Sequence, residues 1–253
     1  MKKVAGTLIS LALCAGNAAG ADGELSIGVG FNYSEGDYGT SQTTEIVSIP
    51  VTARYEVDRW IFRLTVPWIS VSGEATVIPG VGRARAATTQ TRTESGLGDI
   101  VASVTYGAYY DKASRFGVDL TGKVKFGTAD ADKGLGTGEN DLSILVEPFK
   151  SFDRWTVFGS VGYHMLGGPS FFDTDDVFSA SIGGSYKLND RDTTGVSYDW
   201  RDKVTAGGSN VSELTAFWSR KFDRQWKGQV YLLKGFSNGS PDWGVGASVA
   251  YAF

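Results

Sequence analysis

Apolar and polar residues take turns along most of this chain. Leu25, Ile27, Val29, Phe31 and Tyr33 alternate with Ser26, Gly28, Gly30, Asn32 and Ser34. Val47, Ile49, Val51, Ala53, Tyr55 and Val57 then alternate with Ser48, Pro50, Thr52, Arg54 and Glu56. A period of two sends successive side chains to opposite faces of a strand, so both stretches are predicted strands. The pattern returns at 60–68, 100–110, 116–126, 142–146, 157–163, 178–188, 196–200, 214–218, 226–236 and 243–253, which makes twelve strands. In 226–236 the phase is ambiguous, because Val230, Tyr231, Leu232 and Leu233 run together and leave room for a bulge.

The last segment shows what the alternation is for. Trp243, Val245, Ala247, Val249, Tyr251 and Phe253 form one face, against Gly244, Gly246, Ser248, Ala250 and Ala252 on the other. Aromatic residues at both ends of an aliphatic stripe match a bilayer with two interfacial belts. Trp60 and Trp68 repeat this eight residues apart, which spans roughly 20 Å of membrane normal at a barrel tilt near 40°. After residue 21 no run approaches the about 18 apolar residues of a membrane-spanning helix. Only a closed barrel then lets the chain cross lipid with every backbone group paired.

The connections sort into two classes that strictly take turns. Five are short, near residues 58, 113, 153, 190 and 224. Six are mostly longer and rich in Gly, Thr and Asp, among them 73–96, 128–140, 167–176 and 237–242. Short turns at one end and long loops at the other are the arrangement of outer-membrane barrels, and an even strand count leaves both termini on the periplasmic side. The expected fold is therefore an all-β, twelve-stranded antiparallel transmembrane barrel formed by residues 22–253. It is preceded by a cleaved secretory signal at 1–21, with a basic start at Lys2 and Lys3, a short apolar run and a small-residue site at Ala19-Gly20-Ala21. The 34 Gly, 13% aromatic residues and only 6 Pro suit many strands with tight turns, although a soluble all-β protein would share those averages.

Charge then fixes the inside. Arg54, Glu56, Arg63, Asp119, Lys123, Lys125, Asp141, Glu147, Lys187, Asp199, Arg201 and Glu213 all sit on the small-residue faces. Turned toward lipid they would be prohibitive near the midplane, so they are expected to line an enclosed, wet lumen of both signs. Eight-stranded barrels are filled by their own side chains and sixteen-stranded ones hold a water channel. Twelve strands thus predict a narrow passive channel for a small-molecule solute, with a plugged structural or adhesive barrel as the rival reading. Without Lys2 and Lys3 the formal charge of −4 becomes about −6, which gives no attraction for nucleic acid.

Catalytic chemistry finds little support. A barrel hydrolase needs a Ser activated by a His, commonly two residues apart on one strand face, yet the one histidine, His164, has Gly162 and Leu166 at that spacing. A cross-strand Ser stays open as the hydrolase alternative. The one cysteine, Cys14, leaves with the signal, so no enzyme activity, cofactor or metal is expected. Asp130, Asp132, Glu139 and Asp141, and Asp173, Asp175 and Asp176, lack the spacing of a calcium loop and read as solvated loop carboxylates.

Three stretches, SGLGD at 95–99, TADADKGLGTGEND at 128–141 and LLKGFSNGSPDW at 232–243, resemble a family of outer-membrane proteins named for the meta-cleavage pathway of phenol degradation and labelled transporters. The resemblance covers most of the mature chain. It implies an outer-membrane barrel passing small, including aromatic, compounds, and carries over no binding residues. The ending Trp243, Tyr251 and Phe253 resembles the assembly signal of outer-membrane barrels. It implies the barrel-assembly machinery and outer-membrane lipid and lipopolysaccharide as partners.

Overall fold

In the computed structural model, which describes residues 23–83, 91–168 and 173–253, the alternating segments pair in sequence order and close on themselves. The signal segment 1–21 and part of the loop 167–176 lie outside the described residues. The strands are β1 Glu24–Gly36, β2 Thr44–Val57, β3 Trp60–Glu74, β4 Val77–Ile78, β5 Gly82–Arg83, β6 Thr91–Leu97, β7 Ile100–Asp111, β8 Phe116–Phe126, β9 Asp141–Phe152, β10 Trp155–Leu166, β11 Val177–Lys187, β12 Asp192–Arg201, β13 Val211–Lys221, β14 Trp226–Gly235 and β15 Trp243–Ala252. β6 and β7 both pair with β3 and together make the fourth wall strand. β4 and β5 form a small hairpin outside the wall ladder. The wall is a closed twelve-stranded antiparallel barrel, sealed where β1 meets β15 from Ser26↔Ala252 to Glu35↔Trp243.

The exterior carries the apolar faces. Val161 is 60%, Ile182 64% and Leu232 63% exposed, and Trp60, Trp68, Trp155 and Trp243 stand exposed at the ends of the band. An apolar surface of this extent is stable against acyl chains and not against water. The short turns use the chemistry their Asp residues supply. Asp111 Oδ1 accepts from the Ala113 amide (3.0 Å), and Asp223 Oδ1 accepts from the amides of Gln225 (2.8 Å) and Trp226 (2.7 Å). Asp58 and Asp153 take left-handed φ angles of 51° and 42°.

Three local readings of the pattern change. Much of the described part of the expected loop 73–96 is strand, since β3 runs on to Glu74 and pairs with β6 from Trp68↔Leu97 to Glu74↔Thr91. Val230 to Leu233 hold an unbroken register with both neighbours, with Val230 and Leu232 outward and Tyr231 and Leu233 inward. The bulge lies instead in β7 between Gly107 and Tyr109, so Tyr109 faces out and Tyr110 turns in to stack on Phe149 at 6.2 Å.

Inward aromatic rings lie flat over glycines of the next strand. A Cβ at Gly183 would stand 2.5 Å from the Phe158 ring, and one at Gly195 2.3 Å from Phe217. Following directly opposed residues from Tyr110 through Gly117, Phe149 and Phe158, then Thr215 and Ser34, leads round to Glu94, far up the same wall strand. That stagger is what tilts the strands of a closed barrel. Rows of inward residues therefore climb around the lumen as spirals.

Candidate solute path through the barrel lumen

The twelve predicted lumen residues all fall on the inward phase, but in different surroundings. Arg54 pairs with Glu56 at 2.6 Å and stands directly opposite Arg63. Asp119 stands opposite Glu147, which accepts a hydrogen bond from Thr121. Asp199 accepts from Ser197 at 3.1 Å and faces Glu213, which is 2% exposed. Lys187 is exposed at the mouth on the short-turn side. Lys125 and Asp141 belong to a buried ion cluster: Lys125 Nζ lies 3.2 Å from Asp141 Oδ2 and 3.2 Å from Asp99 Oδ2, with Thr137 Oγ1 at 3.4 Å. These two lie on the inward face as expected, with their side chains almost wholly out of water.

Asp99 and Lys227 were missed by sequence reasoning. Asp99 follows the break between β6 and β7 and belongs to no alternating run. Lys227 was hidden by the ambiguous phase of its strand; it lies in the electrostatic field of Arg54, Arg63, Lys221 and Glu56. The intervening strands β15 and β1 present only Gly, Ala and Ser there, so nothing long stands between these cations.

The end that carries the long connections is narrowed by loops folded inward. Tyr38, Val77, Ala129 and Leu135 from three connections pack on the inward faces of Ile46, Ile69 and Val71. Ile78 and Val81 of the β4–β5 hairpin pack across the lumen on Val177 and Val204, with Leu166 beside them. Arg201 Nη2 donates to the Gly80 carbonyl at 3.0 Å and ties the hairpin tip to β12. Burial pushes the Tyr38 hydroxyl above its ordinary range, so the phenol stays neutral among these apolar groups.

His164 is buried on the lumen side, with Nδ1 2.8 Å from Ser143 Oγ and Nε2 2.7 Å from Ser179 Oγ. The cross-strand serines that the hydrolase reading requires are therefore present. Both face the interior, where no acyl chain reaches them, so a serine at the lipid-facing surface is not supplied by either. Among the described residues no three His, Cys, Asp or Glu side chains converge as metal ligands.

No family model and no curated protein matches the sequence. Among solved structures the chain is similar to an outer-membrane channel from Pseudomonas putida F1, with a TM-score of 0.72 and 14% identity over 94% of this chain and 98% of that one. It is also similar to the NanC porin (TM-score 0.58, 10% identity, 89% of this chain and 98% of that one) and to the KdgM porin (0.54, 14%, 89% and 99%). These likenesses span nearly the whole wall, and the fold of this chain is that of a twelve-stranded outer-membrane β-barrel.

Proposed function

We propose that this barrel is a narrow passive channel for small solutes across the outer membrane, with the short turns and both termini in the periplasm. The observation that carries the reading is the state of the lower lumen: Arg54, Glu56, Arg63, Asp119 and Glu147 remain partly exposed inside a closed polar wall, so water and small solutes have access to them. The resemblance to the meta-cleavage family supports a channel and extends the solutes to small aromatic compounds. Outer-membrane lipid, lipopolysaccharide and the barrel-assembly machinery are the partners this placement implies. Purified protein in planar bilayers is expected to give small single-channel steps, and liposomes carrying it to admit small solutes. A silent bilayer together with impermeable liposomes would sink the reading.

A second reading, a plugged structural barrel, is favoured by the two apolar clusters at the extracellular end. The same bilayer recording separates the two.

A further inference from the structure

The register of the lumen places like charges directly opposite each other. Arg54 faces Arg63, Lys221 faces Lys227, Asp119 faces Glu147 and Asp199 faces Glu213. Directly opposed like charges on one sheet face destabilise the pair, and exchanging one member of each would turn repulsion into attraction. Apart from Glu56, which pairs with Arg54, and Arg201, which lies in the field of Glu213, the wall keeps its signs apart along two climbing rows. The basic row runs Arg54, Arg63, Ser103, Lys123. The acidic row starts at Asp119 and Glu147. The β9–β10 register continues it to Ser160, then to Ser181, Asp199 and Glu213. On β8 the two rows are separated only by the inward Thr121, which donates to Glu147, and Arg63 lies within the field of Glu147.

We propose that these paired rows make the channel selective for small zwitterions, solutes with a carboxylate and an ammonium group a few ångströms apart. The anionic end follows the Arg63 side of the basic row, Arg54 already holding Glu56, while the cationic end follows Asp119 and Glu147. A simple anion or cation gains from one row and is repelled by the other, and an uncharged solute of equal size gains from neither. A dipolar solute satisfies both at once. The part of the rows a solute can use is the partly exposed lower half, since Glu213 is buried beneath the inward loops.

This inference rests on the channel reading, and the test separates the two. Liposomes carrying the full mature chain are challenged with L-serine or with erythritol, a neutral polyol of similar size, and swelling rates are compared. L-serine is expected to enter about tenfold faster, the lower end of electrostatic focusing. In the double variant Arg63→Gln/Glu147→Gln, checked for folding by heat-modifiable migration, the ratio is expected to fall to about one. Erythritol keeping pace with L-serine in the native channel overturns the proposal without any variant, and so does an undiminished preference in the folded double variant. Swelling with neither solute overturns the channel reading itself.

Discussion

At the scale of single residues, the Lys125 cluster is where the chain has most to lose. Its cation sits between two carboxylates with side chains almost wholly out of water. Removing it leaves Asp99 and Asp141 uncompensated. Lys125→Met is expected to cost about 3–5 kcal/mol, read as a lower urea midpoint for loss of heat-modifiable migration. Adding Asp99→Asn should return part of that loss, because one stranded charge goes with it. This cluster was half legible. Lys125 and Asp141 announced themselves as charges on a small-residue face, but Asp99 lies in no alternating run, and only the folded wall brings it to Lys125. Turn chemistry, by contrast, could be read directly: the Asp residues at 58, 111, 153 and 223 were visible as turn formers and serve as such.

At the scale of elements, the strands were legible because lipid on one side and a wet lumen on the other enforce a strict period of two. What could not be read is where a Gly- and Thr-rich connection folds. The β4–β5 hairpin turns into the mouth because Val77, Ile78 and Val81 find apolar partners on both sides of the lumen, and those partners are set by distant parts of the chain. Nor does any local signal mark the bulge in β7, since Ala108 and Tyr110 continue the apolar alternation in sequence. Replacing 76–83 by a short Gly-Ser turn removes the inward hairpin. Single-channel conductance is then expected to rise, and conductance equal to that of the native protein would show that the hairpin does not narrow the path.

At the scale of the whole molecule, closure and polarity of the lumen followed from strand number and charge placement, whereas the separation of signs into two rows needed the register, which periodicity alone does not give. The ring of Phe253 meets Tyr251 edge-on at 5.0 Å, and its backbone amide donates to the Leu25 carbonyl at 2.9 Å across the closing seam. Deleting Phe253 is expected to reduce the amount of heat-modifiable barrel recovered in the outer membrane, measured on gels of unheated samples; an unchanged amount would count against an assembly role for that residue. The wall itself has one thin place. Pro50 and Pro67 stand directly opposite each other, each without an N–H to give, Gly30 packs beside Pro50, and the chain breaks between β6 and β7 at the neighbouring Gly98 and Asp99. The inward loops rest against this same sector: Ile69 lies over Gly98, and Leu135 reaches Gly96. The mouth and the wall therefore brace one another, and a displacement of the inward loops would also loosen the staves beside them.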